Sequence, residues 1–224
     1  MTLRTVLLTG GFVLTVCGGA ALAQSSPPAA SGGAAKMVTL QMPALPDPVP
    51  VTLKPATTAL LVFDIVDPIC TSQPKCMTGM VPKAKDLMER ARKAGVVVGY
   101  STREQTMSKY LPEVAPAAGD IKIISRGQDR FYNTDLEKEL KAKGVTHLIL
   151  MGWKISGSVA YTSVGATLRD FTVVVPVDAS VAATDYETTI GLYNILNQNS
   201  SNLENAPLKP KASTLSRTDL IKFE

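Results

Sequence analysis

The sequence predicts an α/β fold with three layers, α/β/α, around a mostly parallel central sheet. Between residues 59 and 198, continuous apolar runs alternate with segments of helical periodicity, which is typical of strand–helix–strand units. The first run, Ala59 to Phe63, is apolar throughout, as in a strand that is buried on both faces of a sheet. About 200 residues remain after a predicted leader, enough for one domain with a sizeable core.

Residues 1–23 have the pattern of an export signal. Arg4 lies in a short basic start, an apolar stretch follows, and Ala21-Leu22-Ala23 forms a small-x-small cleavage site. The apolar stretch is too short and too rich in glycine for a membrane span of about 20 residues. We therefore expect a periplasmic or secreted protein that begins at Gln24 and has no stable membrane span.

The remaining chain divides by composition. Residues 24–55 are rich in small residues and prolines, which predicts a flexible tether followed by an extended arm. Residues 56–198 have the strand and helix patterns and form the predicted domain. Residues 199–224 follow a stretch rich in Asn and Ser, and we expect an exposed C-terminal arm that packs on a neighbouring subunit in a homo-oligomer.

Turn and cap residues set the predicted boundaries inside the domain. Pro82 in the first turn and Gly95 at the end bound the first helix. Thr134 to Glu137 has the pattern of a capping box for the second helix. In chain order we predict a strand at 59–63, a helix at 81–94, strands at 96–100 and 121–124, a helix at 134–144, a strand at 145–151, a helix at 158–170, a strand at 172–177 and a helix at 185–197.

Charge and cysteine content exclude several classes of function. Without the leader, 22 basic and 19 acidic residues leave a net charge of +3, and the basic residues form no stripe interleaved with aromatics, so we expect no nucleic acid partner. Cys70 and Cys76 bound a short loop that contains a proline, which predicts a disulfide in an oxidising compartment. The chain has a single histidine, so a histidine-rich metal site is excluded, and we expect no metal and no cofactor.

Polar side chains follow three of the predicted strands. Asp64 ends the first apolar run, Arg126 follows the run at 121–124, and Ser158 lies in the turn Gly152-Trp153-Lys154-Ile155-Ser156-Gly157-Ser158. Ligands of parallel sheets bind outside the carboxyl ends of the strands, so we expect the three residues to converge. A small hydroxyl at the start of a helix is also where α/β hydrolytic enzymes expose a nucleophile. Residues predicted to line the same site are Tyr100, Arg103, Phe131, Trp153 and Lys154.

Four blocks of the sequence, taken together, resemble the isochorismatase-like, or cysteine hydrolase, superfamily. They are Leu60 to Asp67, Ser125 to Leu136, Gly152 to Val159 with Thr162, and Val173 to Ala179, and their order and spacing agree with the family from about Ala59 to Ala183. The resemblance implies the α/β fold, a small-molecule substrate, and hydrolysis by an Asp, Lys and Cys set. It also implies a cis peptide bond near Trp153 and Lys154. The zinc-binding nicotinamidase branch is excluded, because its histidine ligands have no counterparts.

The family's catalytic set is only partly present. Asp64 stands at the Asp position, Arg126 at the Lys position and Ser158 at the Cys position. A serine hydroxyl is far less acidic than a thiol and normally needs a histidine base, whereas His147 lies several residues from the turn. Isochorismatase proper, one branch of the superfamily, cleaves a vinyl ether without a cysteine nucleophile, and the serine is compatible with that chemistry.

Three functional hypotheses remain from the sequence. The first is a hydrolase of a small, anionic metabolite, acting on a C–N or vinyl-ether C–O bond. In it, Asp64 handles protons, Arg126 binds a carboxylate or oxyanion, and the Ser158 turn supplies backbone donors. The second is a non-catalytic relative that binds a small molecule or a protein, and the third is a structural subunit. Simpler roles stay open as well: Asp64 pairs with Arg126, Ser158 caps a helix, and Trp153 belongs to the core.

Overall fold

The computed structural model describes residue 39 and residues 41–102, 109–198 and 200–224, and residues 43–224 form one compact unit. The predicted leader, most of the tether and Arg103 lie outside the described residues. No helix within those ranges is long and apolar enough to cross a membrane.

The strands are β1 (Val51–Leu53), β2 (Thr58–Phe63), β3 (Val66–Asp67), β4 (Val97–Thr102), β5 (Lys109–Tyr110), β6 (Ile121–Ile124), β7 (His147–Trp153), β8 (Thr172–Pro176), β9 (Ser180–Val181), β10 (Ser213–Ser216) and β11 (Ile221–Phe223). The α-helices are α1 (Val81–Lys93), α2 (Leu136–Ala142), α3 (Ala160–Thr167) and α4 (Asp185–Leu196).

Parallel strands form the central sheet in the order β10-β8-β7-β2-β4-β6, with β9 beside the end of β7. All six residues of β2 are buried, as expected for the central strand of a sheet covered on both faces. Because β2, β4, β6 and β7 run in the same direction, their carboxyl ends meet at one edge. The predicted α/β fold with a parallel sheet is confirmed.

Alternate residues of the strands pack into two separate hydrophobic cores, one on each face of the sheet. Leu60 and Val62 pack toward α1, whereas Leu61 and Phe63 pack toward α2, α3 and α4. This alternation follows from the two-residue period of a strand. The three predicted layers are therefore present.

The C-terminal segment corrects the sequence prediction of an exposed arm. Residues 213–216 form β10, whose four residues are all buried next to β8, and β11 pairs with β1 in parallel. The segment Ser-Thr-Leu-Ser lacks the apolar run that identifies a buried strand. Its polar backbone is satisfied instead by the Asn205 side chain, which donates to Leu215 O at 2.9 Å and accepts from Leu215 N at 2.7 Å. Side-chain amides thus form the hydrogen bonds that a further strand would otherwise make at this edge of the sheet. This explains why an Asn-rich segment precedes the strand.

The predicted capping box before α2 does not form. The Thr134 hydroxyl donates to the carbonyl of Arg130 at 2.7 Å, and the N-cap position is Asp135, whose side chain makes no capping bond. The hydroxyl instead bonds locally, to a carbonyl four residues earlier, and accepts from Leu136 N at 3.4 Å; the cap that it leaves unmade is worth only about 1 kcal/mol.

The predicted disulfide between Cys70 and Cys76 is present. Their Cα atoms are 5.3 Å apart, and both side chains are fully buried. The bond closes the loop between β3 and the turn that leads into α1, and so fixes the chain that follows Asp64.

We expect neither Cys70 nor Cys76 to react with a thiol reagent in the purified protein. After denaturation without reductant, mass spectrometry should find both residues unlabelled, and prior reduction should add two labels. Replacing both by alanine should lower the free energy of unfolding by roughly 2 kcal/mol, because the short loop is no longer closed in the unfolded chain. Full labelling without reductant would contradict the disulfide.

Candidate active site

Asp64 lies at the carboxyl end of β2, where the chain leaves the sheet. Its φ angle of +52° is unusual for a residue other than glycine, and its backbone N–H donates to Ser101 O at 3.1 Å. The side chain is 6% exposed. The hydrogen bond to Ser101 stabilises this unusual backbone conformation of Asp64, and the conformation holds the carboxylate at the edge of the sheet.

Arg130 forms the ion pair with Asp64. Its Nη2 donates to Asp64 Oδ2, and its Nη1 donates to Ser125 O at 3.1 Å. The Arg130 backbone N–H donates to Thr162 Oγ1 at 3.1 Å, which connects the same residue to α3. Sequence reasoning missed this partner, because Arg130 lies in a loop without periodicity and the family pattern directs attention to Arg126.

The turn after β7 begins at a glycine that no other residue replaces easily. Gly152 has a φ angle of +131°, and a Cβ at this position would overlap Phe63 O and lie 2.7 Å from Phe63 N. The Trp153–Lys154 peptide bond is cis, as the family resemblance implies. The N–H groups of Gly157 and Val159 donate to Lys154 O at 3.0 and 3.4 Å, so neither points outward from the turn.

Ser158 is not the helix cap that the sequence left open. The residue is 2% exposed, and its Oγ donates to Trp153 O at 3.0 Å instead of accepting from a backbone N–H. The N-cap of α3 is Val159, and Ser158 lies within the preceding turn at 155–159. The hydroxyl thus stabilises the turn from inside.

Two further cations lie near this edge of the sheet. Arg126 is two residues beyond β6 and its side chain is exposed. Lys154 is partly buried, and its ammonium donates to Glu187 Oε1 on α4. The hydrogen bond from Lys154 lowers the pKa of Glu187 below its ordinary value. The ion pair attaches the Ser158 turn to the start of α4.

Three of the predicted lining residues lie in the two cores. Tyr100 is buried toward α1, where its hydroxyl accepts from Arg92 Nη2 at 3.1 Å, and burial raises its pKa to about 12. Phe131 stacks on Phe171 with ring centres 5.8 Å apart, under the guanidinium of Arg169. Trp153 is 9% exposed and packs in the α1 core.

Tyr110 is a site residue that the sequence analysis missed. It pairs with Val66, two residues after Asp64, and its ring meets that of Tyr100 edge to face at 5.4 Å. Burial, and then the negative charge of Asp64, raise the pKa of the Tyr110 phenol. The strand β5 has only two residues, too few to show a pattern.

Buried hydroxyls border the same edge. Within the described residues, the hydroxyls of Ser101 and Thr102 at the end of β4 are buried and have no hydrogen-bond partner. Such groups are uncommon in folded proteins, and at a strand end they offer donors or acceptors to a ligand. Among those residues, no group of three or more His, Cys, Asp or Glu side chains is arranged to hold a metal ion.

His147 cannot serve as the base for Ser158. It begins β7, whereas Ser158 follows the end of that strand, and the seven residues of β7 span about 20 Å. Burial lowers the pKa of His147 below its ordinary value. Burial therefore favours the neutral form of this histidine, which lies at the far edge of the sheet.

Since folding lowers the pKa of His147, acidification should destabilise the protein. The unfolded chain, with a histidine pKa near 6.5, takes up a proton that the folded chain resists, so this contribution to stability is complete above about pH 6.5 and is lost as the pH falls further. The slope cannot exceed about 1.4 kcal/mol per pH unit. Urea unfolding at several pH values should show it in the wild type and not in His147→Gln. Identical pH profiles for the two proteins would contradict the lowered pKa, which NMR of the single imidazole measures directly.

Fold and site together define an α/β protein whose polar groups gather at the carboxyl edge of a parallel sheet, around a buried acid and a glycine-initiated turn. A family model described as the isochorismatase domain matches residues 58–199. The isochorismatase family protein YecD of Escherichia coli O157:H7 is 31% identical over 156 residues, which cover 58% of this chain and 83% of that protein. The chain therefore belongs to the isochorismatase family of hydrolases, and a small-molecule substrate follows from that membership.

Two other relatives are informative. The ureidoacrylate amidohydrolase RutB of Yersinia enterocolitica is 39% identical over 89 residues, which cover 37% of this chain and 36% of that enzyme. The similarity thus spans about a third of the amidohydrolase. A solved isochorismatase family structure from Burkholderia thailandensis superposes with a TM-score of 0.62 at 20% identity, and the match covers 77% of this chain and 96% of that one. At this identity the likeness shows the fold.

Proposed function

We propose that the protein hydrolyses a C–N bond of a small, anionic metabolite, with water and not Ser158 as the nucleophile. The buried Asp64 carboxylate at the carboxyl edge of the sheet is the observation that supports this most directly. In the proposed reaction, Asp64 takes a proton from water as the oxygen adds to the carbonyl carbon. The proton then passes to the departing nitrogen as the C–N bond breaks.

The surroundings of Ser158 support water as the nucleophile. The hydroxyl is buried, it donates to a backbone carbonyl, and the chain's one histidine is at the other edge of the sheet. A serine nucleophile needs a base within hydrogen-bond reach to take its proton. Water needs only the carboxylate.

The preference for an anionic substrate follows from the cations at this edge. Arg126 is exposed after β6, and its permanently charged guanidinium suits a carboxylate. Buried hydroxyls of Ser101 and Thr102 would add neutral hydrogen bonds. The name of the RutB relative, an amidohydrolase, favours the C–N bond over the vinyl ether.

A second candidate is a relative that binds the same kind of ligand without turnover. The inward hydrogen bond of Ser158 favours it, because a residue at the family's cysteine position that only stabilises a turn contributes no chemistry. The two candidates predict the same ligand and differ in whether product accumulates.

Assays of purified protein on a panel of carboxylated amides, ureas and vinyl ethers test the proposal, with neutral amides as the comparison. We expect many turnovers per site on carboxylated C–N compounds and little on neutral ones. Ser158→Ala should keep a rate within about threefold of wild type, because the serine forms no covalent intermediate. Loss of turnover in Ser158→Ala would refute water as the nucleophile. Calorimetric binding without any turnover would establish the second candidate.

We also propose that the protein is exported before it acts. The buried disulfide supports this, because such bonds persist in oxidising compartments. Cell fractionation with N-terminal sequencing should find a mature chain that starts at Gln24, and recovery of an unprocessed cytoplasmic chain would refute it.

A further inference from the structure

Among the described residues, Asp64 and Arg130 are the two charged side chains that the fold buries, and they pair with each other. Arg130 is 0% exposed, with its guanidinium carbon 5.9 Å from the centre of the Phe63 ring. Neither charge is tolerated in such surroundings without its partner. A buried ion pair is often no more stabilising than an apolar pair of similar volume, so stability alone gives little reason for it.

The contacts of Arg130 join the segments that build the site. Its side chain bonds to Asp64 at the end of β2 and to Ser125 O just after β6, and its backbone N–H bonds to Thr162 on α3. Its carbonyl accepts from Thr134 at 2.7 Å, in the turn before α2. The guanidinium is held between Asp64 and Ser125 O, and the backbone of Arg130 is held by Thr162 and Thr134. A planar group fixed in this way transmits its orientation to the carboxylate that it binds.

We infer that Arg130 is a positioning residue, which holds the Asp64 carboxylate in the orientation that accepts the proton of the attacking water. The inference rests on the proposed function, because it assigns Arg130 a part in that reaction. The inference gives the two arginines different roles, which the sequence alone does not distinguish: Arg130 orients Asp64, and Arg126 binds the substrate.

Four variants test the inference: Arg130→Lys, Arg130→Met, Asp64→Asn, and the double variant Arg130→Met with Asp64→Asn. Arg90→Met is the control, since Arg90 also pairs with a carboxylate, Asp86, and also donates to backbone carbonyls, Ile221 O and Thr218 O, but from α1 and while partly exposed. Urea unfolding should place the midpoint of the double variant above that of either single variant, because it leaves no unpaired buried charge. Additive losses would show that the two side chains are not coupled.

The kinetic and spectroscopic results separate positioning from stability. Arg130→Lys keeps the charge and loses the planar geometry, so we expect kcat to fall about 100-fold with KM changed less than about threefold. The ¹³C resonance of the Asp64 carboxyl, assigned with Asp64→Asn, should move in Arg130→Lys and stay in place in Arg90→Met. A folded Arg130→Lys variant with wild-type kcat and an unmoved resonance would overturn the inference.

The experiments distinguish a failure of the proposed function from a failure of the role of Arg130. If wild-type protein turns over nothing on the panel, the hydrolase proposal fails. The thermodynamic cycle and the carboxyl resonance then still decide whether Arg130 orients Asp64. An additive cycle with an unmoved resonance would overturn the role of Arg130 even in a fully active enzyme.

Discussion

Replacing Asp64 with asparagine should lower kcat by about 10²- to 10⁴-fold, the usual contribution of a positioned general base. The amide is nearly isosteric with the carboxylate but accepts no proton from water at neutral pH. The same change leaves the Arg130 guanidinium buried without its carboxylate, so a loss of about 3–5 kcal/mol in unfolding free energy should accompany it. Initial rates on the best panel substrate, corrected for the folded fraction, measure the catalytic part.

Two comparisons make this prediction specific. Asp178→Asn changes a carboxylate just beyond β8, which β7 separates from β2. In the part of the chain that the structure describes, its hydrogen bonds come from Thr218, so the change should lower stability and leave kcat unchanged. The double variant Asp64→Asn with Arg130→Met should regain stability and remain inactive. If that double variant hydrolyses substrate at a wild-type rate, Asp64 is not the base.

Replacing Gly152 with alanine should lower the free energy of unfolding by roughly 3–5 kcal/mol, as much as the loss expected for Asp64→Asn. Part comes from the φ angle of +131°, which side chains rarely adopt and which costs about 1–3 kcal/mol. The rest of the loss in stability comes from the overlap of the new Cβ with the backbone of Phe63. That backbone belongs to the central strand and cannot shift without disturbing the sheet. Urea unfolding of the variant measures the sum.

Gly95→Ala separates the two contributions. Gly95 also has a positive φ angle, of +80°, but a Cβ there would meet nothing within 4 Å. It should therefore lose only about 1–3 kcal/mol, the cost of the backbone conformation. Equal losses at both positions would show that the contact with Phe63 contributes nothing, and that the site turn tolerates a side chain.

The strands that build the site edge could be predicted because their signal is local. The runs that became β2, β6, β7 and β8 are mostly apolar, and each differs from its predicted bounds by two residues at most. Gly95 and Gly144 ended helices as expected, because positive φ is cheap for glycine alone. By contrast, β10 is Ser-Thr-Leu-Ser, and its burial depends on the side chains of Asn202 and Asn205, which lie 11 and 10 residues before the carbonyls they bind.

Within the site, the sequence by itself determined the position of Asp64 at a strand end, the turn after Gly152, the disulfide partners and the family. Each depends on a short stretch of chain whose residue types restrict the backbone. Only the tertiary structure decided that Arg130 pairs with Asp64, that the Ser158 hydroxyl faces inward, and that Tyr100 and Phe131 belong to the cores. The physical reason is that a buried charge or hydroxyl takes the partner that the packed chain brings to it. For Asp64 that partner lies 66 residues further along the chain, a distance that no local pattern encodes. For Ser158 it is a carbonyl only five residues earlier, which the fold of the turn brings within reach.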